Sequence, residues 1–282
     1  MASSRKSTAV RLKYPGAGVV WRNAFVQRRP IGVFLSCLLF FCSAQVIAET
    51  ERRLGEVANF VDGDTLILES GEAIRLVGIN TPEMARDGRP AEPLALEARD
   101  TLVALLADGQ VLIEVAEQPL DRHGRTLAHL FRPDGIHVQE VLLRKGLASA
   151  VAIAPNDRYL DLFFEAESAA HHAGRGLWAL NYYVPKAEDE VSAGYQFVQA
   201  RLSRIEMGKK WFSFSAGKSL TILVRRSDWV SRFDYSPAAL DQASIALRGW
   251  FSKKKTRATL VINHPFMLER CGISPLRLCA GD

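Results

Sequence analysis

Four short stretches carry most of the side chains able to do chemistry in this 282-residue chain. Asp62-Gly63-Asp64-Thr65 reads as an acidic turn. Arg75 opens a short apolar run, Leu76-Val77-Gly78-Ile79, and Asn80-Thr81-Pro82-Glu83 closes it. Asp121-Arg122-His123-Gly124-Arg125 makes a later turn. A guanidinium presents a planar fork that matches phosphate oxygens two at a time, and carboxylates with backbone carbonyls are the ligands that Ca2+ prefers. The stretch 75–83 therefore reads as one barrel wall with a potential phosphate or metal contact on each of its two rims. Other metals are disfavoured: no His/Cys spacing suits zinc, and His171-His172 are neighbours on a helix that point in different directions.

The elements that must position these groups follow from pattern and punctuation. Residues 55–60, 64–69, 73–80, 110–117 and 125–132 are short, rich in Val, Ile and Leu, and separated by Gly or Asp turns, which predicts five strands. Residues 92–107 place Leu94, Ala98, Leu102 and Leu105 at helical spacing, and 137–145 form a second helix stopped by Gly146. A third helix starts after Pro155 with Asn156 as its N-cap, buries Tyr159, Leu162, Phe163 and Ala166, and ends at Gly174 or Gly176, with Trp178 packing back onto the core. The fold class is mainly β with helices (α+β): a five-stranded OB-type barrel with three helices. Residues 191–282, with alternating runs at 197–205, 211–215, 220–225 and 245–251, read as a second small β-barrel or OB-like domain.

Charge supports that division. The whole chain has a formal net charge of +5, but seven of its 36 Lys and Arg lie in residues 1–48, which contain no Asp or Glu; the remaining 29 face 31 acidic residues, a net of −2. That leader, with Arg28-Arg29, an apolar run over 31–42 and Val46-Ile47-Ala48, has the composition of a signal peptide, and an uncleaved N-terminal anchor is the alternative. Export to a periplasmic or secreted location predicts an oxidising compartment, where Cys271 and Cys279 are an even pair spaced to close a short loop. Residues 49–182 form the first domain and 183–190, with Pro185 to Glu190, the linker. Residues 49–185 carry a net charge of −9 and residues 186–282 a net of +7.

Taken in order, DGDT, the arginine, NTPE, DRHGR and a closing GRGLW over residues 62–178 resemble the staphylococcal nuclease (thermonuclease) family, and the resemblance covers roughly residues 54–180. It implies a Ca2+-dependent endonuclease that hydrolyses DNA and RNA at the bond to the 5′ oxygen, leaving 3′-phosphate ends. It also implies roles: Arg75 and Arg125 as the phosphate clamp, Glu83 as the carboxylate that orients and deprotonates the attacking water, and Asp64, Asn80 and the Thr81 carbonyl as metal ligands. Arg122 and His123 fall where substrate is contacted. Asp62 and Asp121 are expected to shape their turns. Two departures stand out. The family has a second carboxylate where Asn80 stands, so Ca2+ affinity should fall. A family base-stacking tyrosine is replaced by His123, and Val151-Ala152-Ile153 supplies no second aromatic.

The basic second half carries Trp211, Phe212, Trp229, Trp250 and Phe251 with Lys253-Lys254-Lys255, a combination that suits an accessory contact to single-stranded nucleic acid. The same aromatics would equally serve as core. No small-molecule cofactor is implied, and the expected state is a monomer. Two alternatives belong to other classes: a catalytically inactive nucleic-acid-binding module, and an envelope scaffold that binds a non-nucleic partner. Retention of Asp64, Arg75, Glu83 and Arg125 together favours the enzyme.

Overall fold

A computed structural model describes residues 51–272 together with 278 and 279. The leader expected over residues 1–48 lies outside the described residues. The first body contains β1 (Arg53–Phe60), β2 (Thr65–Leu68), β3 (Ala73–Leu76), β4 (Ile79–Asn80), α1 (Ala95–Leu105), β5 (Gln110–Leu120), β6 (Thr126–Phe131), α2 (Val138–Arg144), β7 (Ser149–Ala150) and α3 (Leu160–His172). Strands β1, β2, β3, β6 and β5 close into a barrel in that order. Its interior is filled by Leu66, Ile74, Leu76, Ile113 and Leu130, and Leu102, Leu142 and Phe163 of the three helices join the same core. The five-stranded barrel with three helices is thus present.

The expected continuous strand over 73–80 is not. It breaks at Val77-Gly78, and its second piece, β4, leaves the barrel to pair with β7. Gly78 has φ +82, a left-handed backbone that a side chain resists, and any Cβ there would run into the Phe163 ring. The break exposes polar backbone to the core, and Gln139 answers it. Its Nε2 donates to the carbonyls of Ala128 (3.1 Å) and Val77 (3.4 Å), while its Oε1 accepts from Leu130 N at 3.0 Å. The third helix also departs from expectation. Tyr159 occupies its N-cap, while Asn156 uses both ends of its amide on the Gln118 backbone, at 2.8 and 3.0 Å, and so pins the tail of β5.

The second body is a curled, mixed sheet of eight strands. It contains β8 (Lys186–Ala187), β9 (Gly194–Arg201), β10 (Arg204–Met207), β11 (Trp211–Ala216), β12 (Leu220–Arg225), α4 (Arg226–Arg232), β13 (Ser244–Lys254), β14 (Arg257–Ile262) and β15 (Leu268–Arg270). The strand order is β10-β11-β12-β14-β13-β9-β8, with β15 on the other part of long β13. The run expected over 197–205 is divided at Leu202-Ser203 into β9 and β10. Phe212, Trp229 and Phe251 are buried in this sheet's core, so three of the five aromatics proposed for nucleic-acid contact are structural; Trp250 is 43% exposed.

The two bodies pack tightly. Arg248 of β13 reaches Glu167 of α3 at 2.7 and 3.0 Å, and both side chains are almost wholly buried. Glu167 also accepts from Ala150 N (2.8 Å), and Arg248 lies 4.4 Å from the Phe266 ring centre. Phe266 itself joins the barrel core. Trp178 packs between His171 and Phe197 of β9, away from the barrel core where it was expected. Cys271 and Cys279 are joined as a disulfide.

Candidate active site

Strand register assembles the polar cluster at one end of the barrel. Thr65 at the start of β2 lies opposite Arg75 of β3, and β3 runs parallel to β6 with Ile74 opposite Thr126 and Arg75 opposite Leu127. Asp64, one residue before β2, thus lies beside Leu76, while Arg125, one residue before β6, reaches along the wall with its side chain to Thr65. Gly63 permits the tight entry: a Cβ there would lie 2.7 Å from Ala98 Cβ and 2.9 Å from Thr81 Oγ1.

The turn at Gly78 supplies the other side of the site. Sequence had put Arg75 and Asn80 on opposite rims; the chain instead folds back, so that Arg75 Nη2 donates to the Ile79 carbonyl at 3.1 Å and Nη1 to the Leu76 carbonyl at 2.6 Å. Arg75 Nη2 also lies 2.9 Å from Asp64 Oδ2, and that same oxygen accepts from Thr81 N at 2.9 Å. One carboxylate oxygen thus joins the clamp arginine to the NTPE segment. Asp64, Asn80 and Thr81 are all buried, at 5, 8 and 2% exposure.

Asp62 packs beside Asp64. Burial first, then the Asp64 charge, pushes its carboxyl up to about 7, with Arg75 opposing. Its Oδ1 accepts from Asp64 N at 3.0 Å, the turn-shaping role expected of it. Asp121 does more than shape its turn. It accepts from the His123 and Arg125 backbone at 2.8 and 3.0 Å, and its Oδ2 takes Arg125 Nε at 2.8 Å. Burial opposes ionisation of Asp121, but these hydrogen bonds hold its carboxyl below the ordinary range. Arg125 Nη1 reaches Thr65 Oγ1 at 3.4 Å, which aims its fork toward Arg75. Asp121 is therefore a positioning residue, and its spacing four before Arg125 was the signal for it. Arg122 and His123 sit on the exposed tip of this turn, bonded to each other at 2.9 Å.

Glu83 remains exposed at the edge of the cluster. Its carboxyl is held above the usual carboxylate range, first by partial withdrawal from water and then by the charges of Asp64 and Glu92; Arg75 and Arg125 pull the other way. All four sequence-predicted charged residues are thus close enough to act on one another. Glu92, which sequence reasoning missed, ties down the loop after Glu83: its Oε2 accepts from Glu83 N at 3.0 Å, and its backbone N donates to the Glu83 carbonyl at 2.9 Å. Nothing in its sequence context marks it, because the contact depends on how residues 84–91 loop back.

Among the described residues no group of three or more His, Cys, Asp or Glu side chains is disposed to hold a metal ion. The available donors are all oxygen: the Asp64 carboxylate, the Thr81 carbonyl and the Asn80 amide. Asn80 presents its Nδ2 to the Thr81 carbonyl at 3.3 Å, and an amide flip turns Oδ1 to the same point. Such a set fits a hard cation, with one carboxylate charge where two would bind it more tightly.

The chain is similar to known nucleases. The family model described as "Staphylococcal nuclease homologue" matches residues 73–180. The chain is 32% identical over 125 residues to a thermonuclease of Staphylococcus intermedius, covering 43% of this chain and 74% of that protein. It is 31% identical over 127 residues to a thermonuclease of Staphylococcus hyicus, covering 44% and 75%. An uncharacterized endonuclease of Escherichia coli is 32% identical over 129 residues, covering 44% and 76%.

Proposed function

Because the chain belongs to the staphylococcal nuclease family, we propose that it is a nuclease, and more narrowly an exported Ca2+-dependent phosphodiesterase that cleaves DNA and RNA to 3′-phosphate ends. The observation that supports this reading is that Asp64 ties Arg75 to the NTPE segment bearing Glu83, while Arg125 reaches Thr65 beside them. Two guanidinium forks suit the non-bridging oxygens of a phosphodiester and neutralise the charge that grows there as water attacks. Asp64 and Asp121 hold those forks in place before substrate arrives. Glu83 orients the water and takes its proton, and its raised carboxyl makes it a stronger base than an ordinary carboxylate. The new bond forms between the water oxygen and phosphorus. The bond to the 5′ oxygen breaks, and that oxygen is protonated from solvent. Asp64, Asn80 and the Thr81 carbonyl are the residues that would hold Ca2+, which when bound supplies Lewis acidity to the phosphate.

The acidic domain of residues 49–182 is the cutting module in this reading, and the basic residues 191–282 add an accessory hold on the polyanion, the protein acting as a monomer. Export is supported by the basic and apolar composition of residues 1–48 and by the pairing of Cys271 with Cys279. The test is direct: incubate the mature protein with single-stranded DNA and with RNA, in millimolar Ca2+ or in chelator, and identify the product ends. Cleavage in Ca2+ alone, yielding 3′-phosphates, is expected. Cleavage that persists in chelator would overturn the metal assignment, and none in Ca2+ would favour the inactive binding module. Fractionation and N-terminal sequencing of the exported form decide localisation.

A further inference from the structure

Beside Glu83 a cleft of about 410 Å³ opens from the active site. Its floor begins at Asn80–Glu83 of the active site, one wall is the segment after the barrel's last helix, and the other is the β9–β13 face of the second sheet. The size is that of a small-molecule or nucleotide site. Two pairs of aromatic rings line it. Tyr182 and Tyr183 meet edge to face at 4.8 Å, and Tyr195 and Trp250, directly opposite in the β9–β13 register, do the same at 4.8 Å. In each pair one ring is the more exposed, and Tyr182 is also held, its Oη donating to Glu92 Oε1 at 3.3 Å. Tyr183 Oη donates to the Pro93 carbonyl at 2.8 Å and Tyr195 Oη to the Ala150 carbonyl at 3.4 Å, while Tyr182 is 53% and Trp250 43% exposed.

Large open aromatics backed by fixed ones are the ingredients of a stacking platform, since every nucleobase offers a π face. Charge alone would not hold a polyanion here: Arg86 and Arg89 are offset within the cleft by Asp87 and Glu92. We propose that this cleft is an extension of the active site in which bases lying beyond the two nucleotides joined by the scissile phosphate, on a single strand, stack on Trp250 and Tyr182. The occupant follows from continuity: the cleft opens from Asn80–Glu83, so a strand whose phosphate sits at Arg75 and Arg125 can run on into it. The second sheet thus contributes to the cleft through one exposed tryptophan at its contact with the barrel, and the lysines of the β13–β14 hairpin lie outside its lining. This inference rests on the nucleic-acid reading above for its ligand.

The test measures binding apart from cleavage. In chelator, fluorescence anisotropy gives the affinity of the full mature protein for a labelled single-stranded oligodeoxynucleotide of about twelve residues, a length within the range one such module covers, and for a labelled dinucleotide. Trp250→Ala is expected to lower the ratio of long to short affinity about tenfold, and Tyr182→Ala by a similar factor. Trp250→Phe should restore most of it, and the salt dependence should stay that of the wild type because no charge is removed. An unchanged ratio in both alanine variants would overturn the proposal, as would an equal loss for long and short ligands, which marks a structural effect. If the wild type binds the oligonucleotide with these Trp250 effects but never cleaves it, the nuclease reading fails and the cleft stands; if it cleaves but Trp250→Ala changes nothing, the reverse holds.

Discussion

Arg248 of the second sheet and Glu167 of the barrel's last helix form a buried ion pair across the contact between the two bodies, with both Glu167 oxygens within 3.0 Å of one guanidinium nitrogen. Removing one partner of such a pair leaves the other charge in a low-dielectric site, so Arg248→Ala should destabilise the protein by about 3–5 kcal/mol. Pairing Arg248→Met with Glu167→Gln removes both charges and should recover most of that loss. Urea denaturation of the single and double variants reads the difference; equal stability of the two would deny the buried pair its role. A truncation at residue 190 is therefore no clean test of the second body, because it orphans Glu167 and strips Phe266 from the barrel core.

Asn80 makes a sharp prediction about the cation. Asn80→Asp adds the missing negative charge beside Asp64, so Ca2+ affinity measured by calorimetry should rise about tenfold or more. Without metal the same change buries a further carboxylate next to Thr81, which is bonded to Asp64, and the variant should melt below the wild type at neutral pH. If Asn80→Asp binds Ca2+ no better than the wild type, Asn80 has no place at the metal.

The clamp and the base should fail differently. Glu83→Gln, at an exposed carboxyl, is expected to cut kcat by about two orders of magnitude or more with little change in melting temperature. Arg75→Ala should cost a comparable factor in rate and also stability, because Asp64 loses a partner at 2.9 Å. Asp121→Asn should act through Arg125: a higher KM with a smaller fall in kcat, since the fork is loosened and not removed. Steady-state kinetics with matched thermal melts separates the three.

Buried histidines set an acid limit. His129 and His137 lie in an aromatic cluster with Tyr159 and Phe163 and are pushed down to about 3 and about 4, chiefly by burial. In the fold both stay neutral where the unfolded chain already takes up protons. Their contribution is complete above pH 6.5 and is lost as pH falls toward those values, at about 1.4 kcal/mol per histidine per pH unit. Glu269 works in the opposite sense. Burial pushes it up to about 7, so its contribution is complete below about 4.5 and fades as pH rises through 7. The wild-type profile therefore combines two opposed slopes, and the useful quantity is a difference. His137→Phe should flatten the loss between pH 6.5 and 4.5 relative to wild type in thermal melts, and parallel curves would refute the assignment.

The sequence by itself determined the barrel and the identity of its polar cluster. Alternating Val, Ile and Leu runs between Gly and Asp turns are local signals of strands, while Asp64, Arg75 and Arg125 were legible as residues of one site through the ordered motifs that resemble the family. What they do to each other was not. The reversal at Gly78 that brings Ile79 and Thr81 onto Arg75 and Asp64 depends on Phe163, 85 positions further along, filling the space a side chain at 78 would need. Burial of Phe212 and Phe251, and exposure of Trp250 beside Tyr195, depended on which face of each strand met a second layer, and that of Trp229 on the packing of α4. Alternation tells inside from outside only when one face is wet, and β13 is covered on both along Ile245–Gly249. The Arg248–Glu167 pair and the aromatic cleft next to Glu83 join residues far apart in the chain, so only the packing of the two sheets could decide them.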